Sequence, residues 1–316
     1  MIISASRRTD IPALYSEWFM NRIRAGWCLV PNPVNPGQVS LVSLRPPEDV
    51  DAFVFWSKNP APMLGHLDEL DRAGLRYYFQ FTLNDYPRLL EPNIPDLDER
   101  LATFLWLSRR LGPQRVIWRY DPIVLSNITT ADFHREKFAA IAGKLNGATH
   151  RVMVSIVHFY RKTERRLSRL EGKGFSFDKE AISSKETAHL VGDLAAIARQ
   201  HNMESFTCAS EGDFTEQGMP PGRCIDGSLI HKLWGLPDHY SRDPYQRKHC
   251  RCSVSKDIGI NDTCVQGCPY CYSTRSNEVA RRRYKEHDPT SPALWGHPER
   301  EQRASPDKTS GVYLQS

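Results

Sequence analysis

No stretch of this 316-residue sequence stays apolar for the length a membrane-spanning helix needs. The first residues, Met1-Ile2-Ile3-Ser4-Ala5-Ser6-Arg7-Arg8, lack the order of a signal peptide, so the expected setting is the cytoplasm, with no membrane partner. A large charge of one sign is missing too. The 42 Lys and Arg against 37 Asp and Glu leave a formal +5, too little to establish nucleic-acid binding. No run interleaves basic residues with stacking aromatics. No internal repeat is evident. Apolar (40%) and charged (25%) contents are those of an ordinary soluble globular protein. The length holds one large α/β domain plus an appendage.

What is present is cysteine. Of eight, five crowd between positions 250 and 271, and in a reducing compartment they read as metal ligands before disulfides. The organising stretch is Cys264-Val265-Gln266-Gly267-Cys268-Pro269-Tyr270-Cys271, three thiolates spaced C-x3-C-x2-C. Gly267 and Pro269 supply the turns that fold the sulfurs inward. A closed zinc site wants four ligands, whereas three local cysteines suit a [4Fe-4S] cubane with one iron left open. A zinc knuckle borrowing Cys250 or Cys252 would use the same residues, so both readings stand. The other four cysteines, Cys208, Cys224, Cys250 and Cys252, would fill a second [4Fe-4S] cluster or a structural zinc site, or serve as small buried apolar residues. Cys28, inside a strand pattern, reads as core.

Along the chain, apolar runs alternate with helical patterns. Strands are predicted at 2–6, 52–56, 77–83, 116–120, 152–157 and 203–208. Residues 28–30 and 39–44 form a small excursion or hairpin between the first two. Helices are predicted from Pro12 to about Ala25, Pro62 to Ala73, Leu97 to Leu111, Thr129 or Thr130 to Gly147, and from a capping box at Ser183 and Glu186 to about Gln200. The run Arg161–Arg166 reads as a solvated helix face. Arg281–Arg283 is a better anion contact, though as a surface more than a site. From Glu286 the sequence is Pro, Ser and charge, read as a flexible tail.

Six β units joined by helices mean parallel pairing with right-handed crossovers. Polar residues close nearly every strand: Ser6-Arg7-Arg8-Thr9-Asp10, Ser57-Lys58-Asn59, Thr82, Arg119-Tyr120-Asp121, Ser155 with His158, and Cys208-Ala209-Ser210-Glu211. Barrels assemble their sites on that face, so an α/β fold of the (β/α)6 partial TIM-type barrel class is expected, with a Cys-rich lid. The domains are then 1–211 (barrel), 212–285 (cluster-binding segment) and 286–316 (tail). Arg7 and Arg8 are candidates for gripping a carboxylate or phosphate, with Asp10 orienting one of them. The competing reading pairs them with Asp121 or Glu211 to hold loops. Lys58, Arg119 and Asp121 are further catalytic candidates, Ser155 and Glu211 cofactor-binding ones.

The opening Ile2–Pro12, Phe55-Trp56-Ser57-Lys58-Asn59-Pro60, Trp118-Arg119-Tyr120-Asp121-Pro122 and the terminal cysteines resemble a bacterial family of unknown function, DUF1848, over about residues 1–275. The C-terminal cysteines of that family are likened to the cluster loop of radical S-adenosylmethionine enzymes, and Tyr270 before the last cysteine fits. In those enzymes the open iron chelates the methionyl amino and carboxylate groups, and reductive cleavage yields a 5′-deoxyadenosyl radical. The resemblance implies Cys264, Cys268 and Cys271 as cluster ligands, S-adenosylmethionine as cofactor and a donor such as flavodoxin or ferredoxin. Two departures stand out. The usual cluster loop follows the first strand, a place held here by Ser6–Asp10, and no Gly-Gly-Glu segment follows the second. Two classes of function remain: a radical enzyme acting on an anionic substrate, and a non-catalytic zinc- or cluster-stabilised barrel binding an anionic ligand or nucleic acid.

Overall fold

A computed structural model describes residues 1–179, 184–237 and 240–296. Strand β1 (Ile2–Ala5) leads through α1 (Ile11–Leu14) and α2 (Ser16–Ala25) to an antiparallel hairpin, β2 (Trp27–Pro31) and β3 (Val39–Ser43). Alternation then sets in: β4 (Ala52–Ser57), α3 (Leu67–Arg72), β5 (Tyr77–Thr82), α4 (Leu97–Leu111), β6 (Val116–Ile123), α5 (Ala131–Leu145), β7 (Arg151–Ile156), α6 (Arg161–Glu171), α7 (Lys185–Gln200) and β8 (Glu204–Thr207). The remainder carries α8 (Gly227–Trp234), a two-residue β9 (Lys256–Asp257) and α9 (Asn277–Lys285).

The main sheet has seven parallel strands in the order β8-β7-β6-β5-β4-β1-β9. From β1 to β8 neighbours in space follow the order of the chain, hairpin aside. No pairing among the described residues joins β8 to β9, so the sheet is not a closed barrel. Both faces are buried. One carries Phe53, Phe55, Phe79, Phe81, Trp118 and Tyr120 in the large core with α2, α4, α5 and α7. The other carries Ile2, Val54, Tyr78, Ile117 and Met153 in a second core with Ile225, Leu229 and Ile230 from the segment after β8. Burial on both faces is why these strands read as continuous apolar runs.

Several expectations change. The helix predicted from Pro12 breaks at Tyr15 (φ −139°, ψ 27°), whose hydroxyl donates to the Thr263 carbonyl at 2.6 Å. The helix predicted over 62–73 starts as a 3-10 turn, Ala61–His66, before α3. Helix α7 is capped by Ser184, which accepts from Thr187 N–H; the expected cap Ser183 lies outside the described residues. The run at 161–166 is not wholly solvated, because Arg166 is buried and donates to the carbonyls of Cys271 and Thr274. Nor is the start of the tail loose. Trp18 Nε1 donates to Ser291 O at 3.0 Å, Leu29 N–H to Pro292 O at 2.8 Å, and Ala293 and Leu294 are buried. Two apolar side chains and partners for two buried donors outweigh the polar composition.

Candidate functional site

Side chains alternate across a strand, so every second residue faces the inner side of the sheet. Reading each strand upward on that side gives Ile2, Ser4, Ser6; Val54, Trp56; Tyr78, Gln80, Thr82; Ile117, Arg119, Asp121; Met153, Ser155; and Phe206, Cys208. In five of the six, apolar gives way to polar toward the C-terminal end, and a cavity of about 540 Å³ opens over the polar ends. Cys208, Cys250 and Cys252 line it from one side, Cys264, Cys268 and Cys271 from another. The chemistry-bearing strand ends and six of the eight cysteines thus share one space.

The cysteine loop is tied down at several points. Asn93 Nδ2 donates to Val265 O at 2.9 Å, Tyr272 OH to Arg7 O at 2.7 Å, and Ser273 Oγ to Arg8 O. Gly267 has φ +79°, a left-handed conformation, and a Cβ there would meet Pro92 Cγ and Asn93 Nδ2 at 3.1 Å. Tyr270 is buried and donates to Glu91 Oε1. Burial pushes the Cys268 thiol up to about 12, against the pull of Lys58, and raises Cys264 well above its ordinary value.

The four remaining cysteines meet. Cys208 Sγ lies 3.0 Å from Cys224 Sγ, and Cys252 hydrogen-bonds with both Cys224 and Cys250. The hydrogen bond from Cys224, with Arg119 nearby, lowers Cys208 to about 7. Accepting from Cys224 and Cys250 lowers Cys252, whereas burial and the contacts with Cys208 and Cys252 raise Cys224.

The basic strand ends are mostly spoken for. Arg7 faces Asp257 at 3.8 Å and Asp243 at 3.9 Å, neither of them the carboxylates expected. Asp10 orients no arginine; its two oxygens accept from the backbone N–H groups of Ala13 (3.1 Å) and Lys58 (2.8 Å), capping α1, and burial raises its pKa. Arg119, 3% exposed, holds Asp121 at 2.7 Å, donates to Cys224 Sγ at 2.7 Å and lies over the Trp56 ring at 4.8 Å. Asp121, held low by Arg119 against the cost of burial, also accepts from Ser155. Lys58 Nζ binds Glu91 at 2.8 Å. Arg8 is different: its guanidinium lines the cavity with a single hydrogen bond, to Gly259 O at 3.3 Å, and no ion pair among the described residues. Glu211 is mostly exposed, 3.7 Å from His158 and outside the cavity lining, so Ser155 and Glu211 do not come together.

Sequence reasoning missed Glu91 and Asp257. Glu91, 3% exposed, is held low by Lys58 and Arg100 against a burial penalty that alone would raise it. Asp257 accepts from Ser4 Oγ, Ser6 Oγ and Arg7 N–H at 2.7–2.8 Å, anchoring β9 beside β1. Neither stands in a motif; Glu91 follows Leu89-Leu90 in a loop, and only contact across the fold reveals it.

Among the described residues no group of three or more His, Cys, Asp or Glu, as placed, has the geometry to hold a metal ion. The donors are all thiols, the ligand type of zinc and iron–sulfur centres. In the compact set, 3.0 Å between two sulfurs is closer than the ~3.8 Å that metal–sulfur bonds of about 2.3 Å impose on a tetrahedron. Among the described residues no hydrogen bond joins one loop sulfur to another, so that set is the more open. No curated protein and no solved structure is significantly similar to this chain. A family model does match, over residues 2–273, and the chain belongs to that family, described as a domain of unknown function, DUF1848.

Proposed function

We propose that the protein is an iron–sulfur enzyme of the radical S-adenosylmethionine kind, built on a partial (β/α) barrel, acting on an anionic substrate. Cys264, Cys268 and Cys271 are the residues that would hold a [4Fe-4S] cluster. Such a cluster, fed by a flavodoxin- or ferredoxin-like donor, would supply one-electron reductive cleavage of S-adenosylmethionine. One observation carries the reading: the three loop cysteines and the basic strand ends line the same cavity. At about 540 Å³ it lies within the 300–1,000 Å³ usual for small-molecule sites. Consecutive strand order with successive crossover helices on one face is also what a partial barrel requires.

In this reading Arg8 meets the substrate's anionic group, since its charge has no carboxylate partner among the described residues. Arg119 and Asp121 position one another beneath it, and Ser155 fixes the carboxylate. The covering segment restricts water, without which a radical would be quenched before reaching its target.

The test is anaerobic reconstitution with iron and sulfide, then dithionite and S-adenosylmethionine, assayed for 5′-deoxyadenosine. Wild type should be brown with about four irons on the loop and release the nucleoside; Cys268→Ala should keep the fold and lose both. Full iron content and activity in Cys268→Ala would end the reading. A second reading, a non-catalytic barrel binding an anionic ligand or nucleic acid, is favoured by the pairing of Arg7, Lys58 and Arg119 with internal carboxylates. Iron-loaded protein with tight anion binding but no nucleoside release would select it.

A further inference from the structure

The four cysteines outside the loop are compact. Cys208 Sγ touches Cys224 Sγ at 3.0 Å, Cys252 contacts Cys224 and Cys250, and Ile225 N–H donates to Cys252 Sγ at 3.5 Å. Sulfurs sharing one tetrahedral ion stand ~3.8 Å apart, those around a cubane roughly 6–7 Å. Moving the Cys208–Cys224 pair apart by under ~1 Å admits a single ion. A cubane would require their separation to double.

The surroundings also fit. Arg119, while it holds Asp121, donates to Cys224 Sγ at 2.7 Å, and Arg7, paired with Asp257 and Asp243, faces Cys250 and Cys252. Hydrogen bonds from a guanidinium and a backbone N–H to ligand sulfurs are the outer contacts that orient metal-bound thiolates.

We propose that Cys208, Cys224, Cys250 and Cys252 hold one tetrahedral soft divalent ion, zinc, as a closed structural site separate from the loop. Binding forms four zinc–sulfur bonds, releases whatever protons the thiols carry and transfers no electron. With four protein ligands no position stays open for substrate. The ion fastens the segment after β8 to the inner face of the sheet. Cys224 already docks there, its carbonyl accepting from Tyr78 OH at 2.7 Å and Gln80 Nε2 at 2.8 Å. The proposal does not depend on the function of the loop.

The test titrates cobalt(II) into the full-length, chelator-stripped protein. The expected result is the visible ligand-field spectrum of tetrahedral tetrathiolate cobalt, saturating at one ion per chain and bleached by one equivalent of zinc. Metal analysis of the isolated protein should give one zinc per chain, kept in Cys268→Ala and lowered roughly tenfold or more in Cys250→Ser. Absence of the tetrathiolate spectrum overturns the proposal. So does zinc-free protein carrying two cubanes, or zinc lost in Cys268→Ala, which would put the ion on the loop. If Cys250→Ser fails to fold, the cobalt spectrum of Cys268→Ala, whose loop has lost a ligand, still counts the sulfurs of the compact set and decides.

Discussion

Glu91 connects the cysteine loop to the sheet: its carboxylate takes Lys58 at 2.8 Å, Arg100 at 3.9 Å and the Tyr270 hydroxyl. Removing one partner of a buried ion pair leaves the other charge uncompensated, which typically costs 3–5 kcal/mol. Lys58 keeps slight solvent contact, so Glu91→Gln should lose about 3 kcal/mol in urea unfolding. A loss of under ~0.5 kcal/mol, the usual scale of surface changes, would show that the pair is not structural. His134 gives a pH prediction away from any thiol. It is fully buried between Tyr120 OH (2.8 Å) and Val124 O (3.2 Å), and burial lowers its pKa from 6.5 to about 4. The folded state therefore holds the neutral ring. The stability it contributes is complete above 6.5 and is lost as pH falls through 4, about 3 kcal/mol in all. Stability measured from pH 7 to 4 should fall less steeply in His134→Gln than in wild type. Parallel profiles would contradict the assignment.

At the scale of elements, the cysteine loop depends on one backbone position. Gly267→Ala must place a Cβ at φ +79° against Pro92 and Asn93, costing about 1–2 kcal/mol locally. The expected variant has unaltered far-ultraviolet circular dichroism and poor iron retention; undiminished iron would mean the loop seats itself differently. The elements also differ in how far they were legible. Strands β4 to β7 betrayed themselves because burial on both faces demands unbroken apolar runs, such as Ala52–Trp56 and Tyr77–Phe81. Strand β9 could not, since Lys256-Asp257 has no apolar run and owes its place to Asp257 accepting from three groups of β1 and its following turn. For the site, polar residue types at strand ends were readable by position. Their partners were not: Arg7 chose Asp257 and Asp243, both distant in sequence and neither in a pattern.

For the whole molecule, the sheet is covered on one face by helices and on the other by the segment after β8, with the C-terminal stretch closing against α2 and β2. A chain ending at Lys285 removes the partners of Trp18 Nε1, Arg22 Nη2 and Leu29 N–H and uncovers the pocket of Ala293 and Leu294. Its thermal midpoint should drop by several degrees, at about 2–4 °C per kcal/mol for a chain of this order of size. An unchanged midpoint would show that the contacts of 287–296 add nothing.

The placement of β9 beside β1 has a consequence for synthesis on the ribosome. Strand β1 keeps one edge bare until a partner emerges about 250 residues later. At 5–20 residues per second that wait lasts roughly 10–50 s. A bare strand edge is a template for pairing with other chains, and this one is only four residues long, among the shortest strands of the sheet. The residues that follow β9 include Cys264, Cys268 and Cys271, so the covering of this edge and the delivery of these sulfurs come together. On the proposed function, loading of the loop would wait for completion of the sheet, and a nascent chain stalled before residue 256 offers neither.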